Sequence, residues 1–307
     1  MLVFDPDVYG TYARRSALAD YIELIALLGG LPVRKAEIAD FVEQNGDEGL
    51  YVKHFLPVGQ SRSIPSSGEV ADSVFTALSY RQDTLGSAYP FNSSLDQIER
   101  IPRESHHHPY LFLLALTVAH AYAVSTEVSI DSIFEVAVET AIARRVGLGT
   151  AFWRHRQPGV TFSEAVAMAA SAIDLKAIPE DSHAVVSTWA QDEGLDVLGH
   201  LSWNDDRAGQ WVFVGQATVG QSDTWKQKAS EVRVPQWSDL LGLQLPASGF
   251  LAVPHHVEPD HWAHLLYSNR VLLDRLRLVQ AIDVGDDHVT EFAEFLLSFE
   301  VESLFPT

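Results

Sequence analysis

The sequence predicts an α+β (α/β) protein with a helical N-terminal domain, residues 1–147, and a second domain, residues 148–307, with a mixed central sheet flanked by helices. Apolar residues recur every three or four positions through the first half, which is typical of helices that bury one face. A connector rich in glycine and proline, VGLGTAFWRHRQPG, follows. Beyond it apolar residues first alternate with polar ones, which is typical of strands.

The first half is expected to contain five helices. Leu18 to Leu28 has helical spacing and ends at Gly29-Gly30, a pair that favours a helix stop. The apolar run 111–124 is interrupted by Thr117 and His120 and is shorter than the roughly 20 residues that cross a bilayer, so we expect a buried helix and no membrane contact. The predicted helices are 18–28, 33–44, 70–78, 108–124 and 132–145.

The second half is expected to alternate helices and strands around a hairpin. The hairpin is predicted from two apolar strands that flank a polar turn near Arg207. The predicted order is helix 162–175, strand 195–203, strand 211–218, helix 223–232, strand 250–253, a helix around Trp262, strand 271–273 and a terminal helix near 289–299.

Composition limits the classes of site and partner. The chain has no cysteine, which excludes disulfides, thiolate zinc sites and a cysteine nucleophile, and matches a reducing compartment. The N-terminus has acidic residues before any apolar stretch, unlike a signal peptide, so we expect a cytoplasmic protein. The net charge of −20 argues against a surface that attracts nucleic acid everywhere, so any DNA contact is expected to be local or shared with a partner.

The hairpin brings candidate metal ligands together. Asp196 and His200 share one face of its first strand, and Gln216 and Thr218 share one face of the second. With the turn centred near Arg207, antiparallel pairing places Asp196 opposite Thr218 and diagonal to Gln216, within about 8 Å. One metal ion can therefore be shared by Asp196 and Gln216.

The segment from about Glu164 to Arg277 resembles the core of the PD-(D/E)XK nuclease superfamily, which places an acidic residue on one strand and an (E/Q)-x-K triplet on the next. The corresponding residues here are Asp196 and Gln216-Ala217-Thr218, so the usual lysine is replaced by Thr218. Glutamine at the first triplet position also occurs in Mrr-like restriction nucleases, and its amide oxygen can bind Mg²⁺. The resemblance implies a restriction-endonuclease-like fold.

A lysine from the following helix can replace the missing one. The segment SDTWKQKASEV predicts a helix with Ser222 or Asp223 as its N-cap, from which Lys226 or Lys228 can reach the site. The pattern GLDV, GQATVG, TWKQK is similar to bacterial nuclease-like proteins with a downstream tryptophan and lysine, which favours Lys228.

The resemblance also implies the roles of these residues. Asp196 and Gln216 would hold Mg²⁺ or Mn²⁺, and Lys228 would stabilise the developing phosphorane charge or orient the attacking water. Glu164 would join as a third ligand, because the first core helix of the superfamily often supplies a glutamate. Thr161 and Glu164 also match a capping box, which is a purely structural alternative.

Six arginines are candidates for contacts with nucleic acid. Arg144, Arg145, Arg154 and Arg156 form a basic cluster with no acidic residue between Glu139 and Glu164, and a salt-bridged domain junction is the equal alternative. The later run VLLDRLRLVQ resembles part of the same nuclease-like arrangement, which implies that Arg275 and Arg277 meet backbone phosphate.

Histidines offer a weaker metal hypothesis. The triplet His106-His107-His108 points in several directions on a helix and is better explained as a surface turn before Pro109. A second group, consisting of His255, His256, His261 and His264, is denser and leaves a zinc site open. Glu193 is an alternative acidic ligand to Asp196, although its odd offset turns it to the other face.

Together these features favour a metal-dependent nuclease, or a nuclease subunit, that hydrolyses DNA. A role in bacterial restriction or phage defence is implied by the resemblance alone. The N-terminal domain is expected to serve regulation or partner binding, and the acidic surface favours partner subunits or a homo-oligomer. The alternative is a catalytically inactive nuclease fold that serves as an interaction or DNA-docking subunit, with Thr218 as the mark of lost chemistry.

Overall fold

The fold is known from a computed structural model that describes residues 1–45, 65–175, 194–203, 205, 207, 209–266 and 270–302. The class is α+β, as predicted: within these residues helices surround a three-stranded sheet and a five-stranded mixed sheet. Glu193 lies outside the described residues, and the side chain of His264 is not described either.

The N-terminal region is helical but also contains a small antiparallel sheet that the sequence analysis did not anticipate. Its strands have only two to four residues, too few for an alternating pattern to stand out. The elements are α1 (Arg14–Gly29), β1 (Val33–Arg34), α2 (Lys35–Asn45), α3 (Ser67–Leu85), β2 (Phe91–Ser93) and β3 (Gln97–Arg100), with strand order β1-β3-β2.

Two further helices complete the first half, α4 (His108–Ala121) and α5 (Ile130–Val146). The helix α4 is buried from Pro109 to Ala119, as its largely apolar sequence predicts. In the described part of the chain, no helix is long and apolar enough to span a membrane.

The larger sheet has the strand order β4-β5-β6-β7-β8. The pairs β4-β5 and β5-β6 are antiparallel, whereas β7 runs parallel to β6 and β8 parallel to β7. The elements are β4 (Leu148–Ala151), α6 (Phe162–Ala172), β5 (Val197–Leu201), β6 (Trp211–Ala217), α7 (Trp225–Glu231), α8 (Val234–Leu240), β7 (Ser248–Ala252), α9 (Pro259–Leu266), β8 (Val271–Leu273), α10 (Arg275–Val279) and α11 (Asp287–Phe295).

Hydrophobic side chains pack on both faces of this sheet. Alternate residues of β5 and β6, such as Leu198 and Val214, join α6 and α8 in one cluster around Trp237. Residues of the opposite parity, such as Val197 and Ala217, join a larger cluster that extends from Leu18 in α1 to Leu296. The sheet is therefore enclosed by helices of both halves of the chain.

The helix that precedes the first strand of the larger sheet is α5. It lies against β4 and β5 so closely that a Cβ at Gly199 would be 2.3 Å from Cγ2 of Ile142, and a Cβ at Gly149 would be 2.8 Å from the Glu139 carbonyl. The expected connector after Gly147 therefore begins with a strand. The sequence analysis did not predict β4, so it wrongly placed α6 before the first strand of the larger sheet.

A buried network of charges also joins the two halves. Asp20 of α1 forms ion pairs with Arg81 of α3 at 2.8 Å and with Arg275 of α10 at 2.7 Å, and all three side chains are at most 1% exposed. Burial alone would raise the pKa of Asp20, but Arg275 and then Arg81 lower it to about 2. Packing and charge pairing thus run across residue 147, and the division of the chain there stays a prediction.

Candidate active site

The observed strand register differs from the expected one by two residues. Val197 pairs with Gly215, and the Asp196 N–H donates to the Gly215 carbonyl at 3.0 Å. Asp196 therefore lies opposite Gln216, and Thr218 is the diagonal neighbour. Directly opposite residues have Cβ atoms about 4.5–5.5 Å apart on the same face, so the register brings the two candidate ligands closer than expected.

Asp196 is fixed at the point where the pairing of β5 and β6 ends. Its Oδ2 accepts a hydrogen bond from the Ala217 N–H at 2.9 Å, which replaces the next bond of the ladder. Its carbonyl accepts from the Phe152 N–H at 2.7 Å. The carboxylate is half-buried and held by main-chain groups of the neighbouring strand.

Gln216 is 4% exposed and its amide has a defined orientation. The amide lies beside the carboxylate of Glu231 and contributes to lowering its pKa, and because a carboxylate only accepts, the amide nitrogen is the end that faces Glu231. The other end of the amide, Oε1, is buried and has no hydrogen-bond partner among the described residues. A buried acceptor without a donor is costly unless a ligand satisfies it.

The helix α7 places two charged side chains beside this amide. Trp225 and Ala229 occupy its inner face, and the indole N–H of Trp225 donates to the Gly220 carbonyl at 2.9 Å. On another face, the Lys228 ammonium donates to Oε2 of Glu231 at 2.8 Å. Lys226, the other candidate lysine, is exposed, so Lys228 is the lysine that contacts the cluster.

Two side chains donate to the Glu231 carboxylate, Gln227 to Oε1 at 3.2 Å and Lys228 to Oε2 at 2.8 Å. The amide of Gln216 lies close enough to contribute to the pKa of Glu231. Partial burial raises the pKa of Glu231, but Lys228 and then the two amides lower it, so the net shift is downward. We use the name four-residue cluster for Asp196, Gln216, Lys228 and Glu231.

The end of α7 is held against the turn that leads into β5. Gly194 has φ +69°, and a Cβ there would be 2.6 Å from the Glu231 carbonyl oxygen. Arg270 donates to the carbonyls of Ala229 and Val232 at 2.9 and 2.6 Å, which ties the last turn of α7. Glycine at 194 therefore permits the approach of Glu231 to the start of β5.

The expected N-caps of α7 have a different role. Ser222 and Asp223 belong to a short 3-10 turn before the helix, and α7 begins at Trp225. Instead of capping α7, the Ser222 hydroxyl accepts from the Tyr12 N–H at 3.1 Å, and Asp223 accepts from the Thr11 N–H at 3.2 Å. These side chains attach the N-terminal segment to the strand-helix turn.

Thr218, at the usual lysine position, is 8% exposed. Its hydroxyl accepts from the Gly220 N–H at 3.1 Å, and its own N–H donates to the Ala252 carbonyl at 3.0 Å. Thr218 thus shapes the turn that follows β6.

Glu164 forms the capping box with Thr161 that was the structural alternative to a metal ligand. Its carboxylate accepts from the Thr161 N–H at 2.7 Å and from the Thr161 hydroxyl at 2.8 Å, while the Glu164 N–H donates to the same hydroxyl. The main-chain bond and then the hydroxyl lower the pKa of Glu164, which is exposed at the start of α6. The residue forms a capping box, and the structure gives no support to its role as a metal ligand.

The prediction that Arg275 contacts backbone phosphate is wrong. It is 0% exposed, and its guanidinium donates to both oxygens of Asp20, to the Thr117 hydroxyl and to the Pro254 carbonyl. Nucleic acid cannot reach it, because α1, α4 and α10 enclose it.

The other arginines are not gathered at the four-residue cluster by any contact that the described residues show. Arg144 and Arg145 donate to the Ile282 and Gln280 carbonyls at 3.3 and 2.7 Å. Arg154 pairs with Glu139 at 2.9 Å, as the salt-bridged alternative expected. The guanidinium of Arg156 lies over the Phe162 ring, and that of Arg277 lies 4.5 Å from the centroid of Trp262.

The histidines are occupied by packing. His255 donates through Nε2 to the Val219 carbonyl at 3.2 Å, and His256 Nδ1 accepts from Arg81 at 3.2 Å. His261 stacks between Tyr12 and Trp225. Among the described side chains, no group of three or more His, Cys, Asp or Glu residues can hold a metal ion, and the zinc hypothesis gains no support.

The four-residue cluster nevertheless fits a hard cation. Two carboxylates and an amide oxygen are ligands that Mg²⁺ and Mn²⁺ prefer, and the unpartnered Oε1 of Gln216 is such a ligand. The cluster contains only two acidic residues, and its third possible ligand is the amide of Gln216, so it is not one of the groups of three acidic residues or histidines. Asp196, Gln216 and Glu231 are therefore the residues that can hold the cation.

Comparisons of the chain with protein-family models, curated proteins and solved structures found no match. The resemblance to the PD-(D/E)XK superfamily therefore rests on Asp196, the triplet that begins at Gln216, and the elements that carry them.

Sequence reasoning missed Glu231. It lies three residues after Lys228, a spacing that places both side chains on one face of a helix, and this signal was available in KASE. Its contact with Gln216 was not available, because that contact depends on how α7 packs beside β6.

Proposed function

We propose that the protein is a metal-dependent nuclease that hydrolyses phosphodiester bonds of DNA at the four-residue cluster. The observation that carries the proposal is the position of Asp196 directly opposite Gln216, whose buried Oε1 has no partner among the described residues. Carboxylate and amide oxygens in this arrangement are suited to Mg²⁺ or Mn²⁺.

The chain's own residues have separate tasks in this proposal. Main-chain hydrogen bonding of Oδ2 orients the Asp196 carboxylate, so little reorganisation is needed when a ligand arrives. Lys228, which is 38% exposed, can donate to a non-bridging oxygen of the phosphate as negative charge develops there. A divalent cation, when bound, would polarise the phosphate and lower the pKa of a water molecule.

Local charge allows DNA to approach despite the acidic chain. Residues 225–234 contain Lys226, Lys228 and Arg233 against one acidic residue, Glu231. Lys226 and Arg233 are exposed, so the cluster is bordered by positive charge that can contact backbone phosphate. The net charge of −20 over the whole chain is consistent with a partner subunit or a second copy that supplies further contacts.

A docking subunit without catalysis is the second candidate. It is favoured by Thr218 at the usual lysine position and by the ion pair that occupies Lys228. In this case the cluster would bind DNA or a partner protein and hydrolyse nothing.

Cleavage assays test the proposal. Linear, supercoiled and single-stranded DNA would be incubated with the wild type and with Asp196→Asn, in Mg²⁺ and in Mn²⁺. The asparagine keeps an acceptor for the Ala217 N–H but removes the charge. We expect cleavage by the wild type and a loss of about 100-fold or more in the variant, which corresponds to several kcal/mol of transition-state stabilisation.

Asp239→Asn is the matched control, because Asp239 is an exposed carboxylate on the neighbouring helix α8. It should cleave as the wild type does. Equal cleavage by wild type and Asp196→Asn would refute the proposed site. DNA binding without cleavage of any substrate, by the wild type and in either metal, would favour the docking subunit.

A further inference from the structure

We propose that Glu231 is the second carboxylate of the cation site formed by Asp196 and Gln216, and that Lys228 holds this carboxylate when no cation is bound. The inference rests on the proposed function and assigns a residue that no motif identified.

The amide of Gln216 connects the two carboxylates. Its side chain shares a sheet face with Asp196, and its amide lies beside Glu231, whose pKa it helps to lower. With the amide nitrogen towards Glu231, the buried Oε1 lies on the other branch of the amide. The unpartnered oxygen is an observation independent of the carboxylates, and it marks the space beside them as a place for a cation.

The surrounding packing keeps Glu231 close to Asp196. Leu195 and Val232, the sequence neighbours of the two carboxylates, are both about 1% exposed and belong to the same hydrophobic cluster. Gly194 allows the main chains to approach, because a Cβ there would be 3.0 Å from the Cβ of Glu231. The end of α7 is therefore fixed beside the start of β5.

Charge explains why Lys228 would compete with the cation. The Lys228 ammonium is bonded to the Glu231 carboxylate at 2.8 Å. A divalent cation that takes Glu231 as a ligand weakens this ion pair, because the carboxylate charge is then shared with a stronger partner. Weakening of this ion pair would favour donation by Lys228 to a phosphate in the loaded site.

Binding of Mn²⁺ alone, measured by calorimetry and by the loss of the free-ion EPR signal, tests the role of Glu231. We expect Glu231→Gln to weaken Mn²⁺ binding by about tenfold or more and Asp239→Asn, an exposed carboxylate on α8, to leave it within about twofold. Thermal unfolding in EDTA would show whether Glu231→Gln folds as the wild type does.

The lysine is tested with its neighbour as the matched control. Lys228→Met should strengthen Mn²⁺ binding by about threefold to tenfold, because a competitor for Glu231 is removed. Lys226→Met changes the net charge equally but removes an exposed lysine, and it should leave the affinity within about twofold. Equal effects of the two substitutions, or weaker binding in Lys228→Met, would overturn the competition.

The outcomes separate this inference from the proposed function. If Asp196→Asn abolishes Mn²⁺ binding while Glu231→Gln leaves it unchanged, Glu231 is no ligand and the proposed nuclease site stands without it. If neither substitution changes the affinity, the cation does not bind here, and the inference is overturned together with the proposed site. If Asp196→Asn and Glu231→Gln both lose affinity for Mn²⁺ while the control Asp239→Asn does not, the result supports Glu231 as a ligand.

Discussion

Arg275 is enclosed by protein, and its charge is balanced there. Together with Arg81 it faces Asp20 and Glu23, so two cations and two carboxylates share one buried space. Tyr110 donates to Glu23 at 2.8 Å. Removal of one member leaves a partner charge uncompensated in a low-dielectric environment, and this costs more than the loss of a surface pair.

Replacement of Arg275 should therefore act on stability. Arg275→Met keeps much of the side-chain length but leaves a net negative charge in the network. We expect it to lower the free energy of unfolding by about 3–5 kcal/mol. Urea denaturation measures the change.

Arg144→Met provides the control, because Arg144 is exposed and makes one hydrogen bond of 3.3 Å to a carbonyl. Its effect should stay below about 1 kcal/mol. If the two substitutions destabilised the protein equally, the buried network would not contribute as described.

Asp274 makes a pH-dependent contribution to the free energy of unfolding. It is 2% exposed, and burial raises its pKa to about 6 although the Arg277 and Val257 N–H groups, followed by nearby arginines, lower it. Between about pH 4 and 6 the folded protein retains a proton that the unfolded chain has released. The stability from this group is thus present below about pH 4 and is lost as the pH rises through 6, by about 3 kcal/mol at most.

Asp274→Asn should remove this component of the pH dependence. The neutral His255 and His256, whose pKa values are lowered by burial, produce the opposite slope in both proteins. The difference in unfolding free energy between wild type and variant should therefore change between pH 4 and pH 7, with the wild type relatively more stable at pH 4. A difference that is constant over this range would contradict the raised pKa of Asp274.

At the scale of elements, long periodic segments were predictable and short strands were not. The hairpin strands β5 and β6 were expected from their alternation, and α6, α7 and α11 from their spacing. By contrast, β4 has four residues with two small ones, Gly149 and Ala151, which carry little pattern. The register of β5 and β6 depended on the true centre of the turn, which no residue of the polar loop specified.

The contact of α5 with β5 makes a prediction about packing. Gly199→Ala would place a Cβ 2.3 Å from Ile142, so either α5 or the sheet must move. We expect a loss of about 1–3 kcal/mol in the free energy of unfolding.

Gly29→Ala is the control, since Gly29 lies at the exposed end of α1 with nothing within 4 Å of an added Cβ. It should be neutral or slightly stabilising, because alanine is the better helix former. An alanine at 199 that is tolerated equally well would mean that α5 does not pack on β5 as described.

At the scale of the whole molecule, the two halves share one hydrophobic cluster and one charge network. Helix α1 contributes Leu18 and Ile22 to the cluster that also contains Phe250 of β7. The sequence could predict an apolar face for each helix, but it could not show that α1, α3 and α10 bring Asp20, Arg81 and Arg275 together. Such contacts between distant segments depend on tertiary packing.

The second half of the chain should therefore not fold alone. A fragment of residues 148–307 would lack α5 beside the sheet and the partners of Arg275 on α1. We expect the full chain to unfold in one cooperative transition and the fragment to lack the near-UV circular dichroism of packed aromatic residues. A folded fragment with its own sharp transition would support the division at residue 147.

The central claim is that Asp196 and Gln216 hold a divalent cation. Anomalous diffraction from crystals soaked in Mn²⁺ tests it most directly. We expect a peak about 2.1–2.3 Å from a carboxylate oxygen of Asp196 and from Oε1 of Gln216. A peak elsewhere, or no peak beside Gln216 at saturating Mn²⁺, would contradict it.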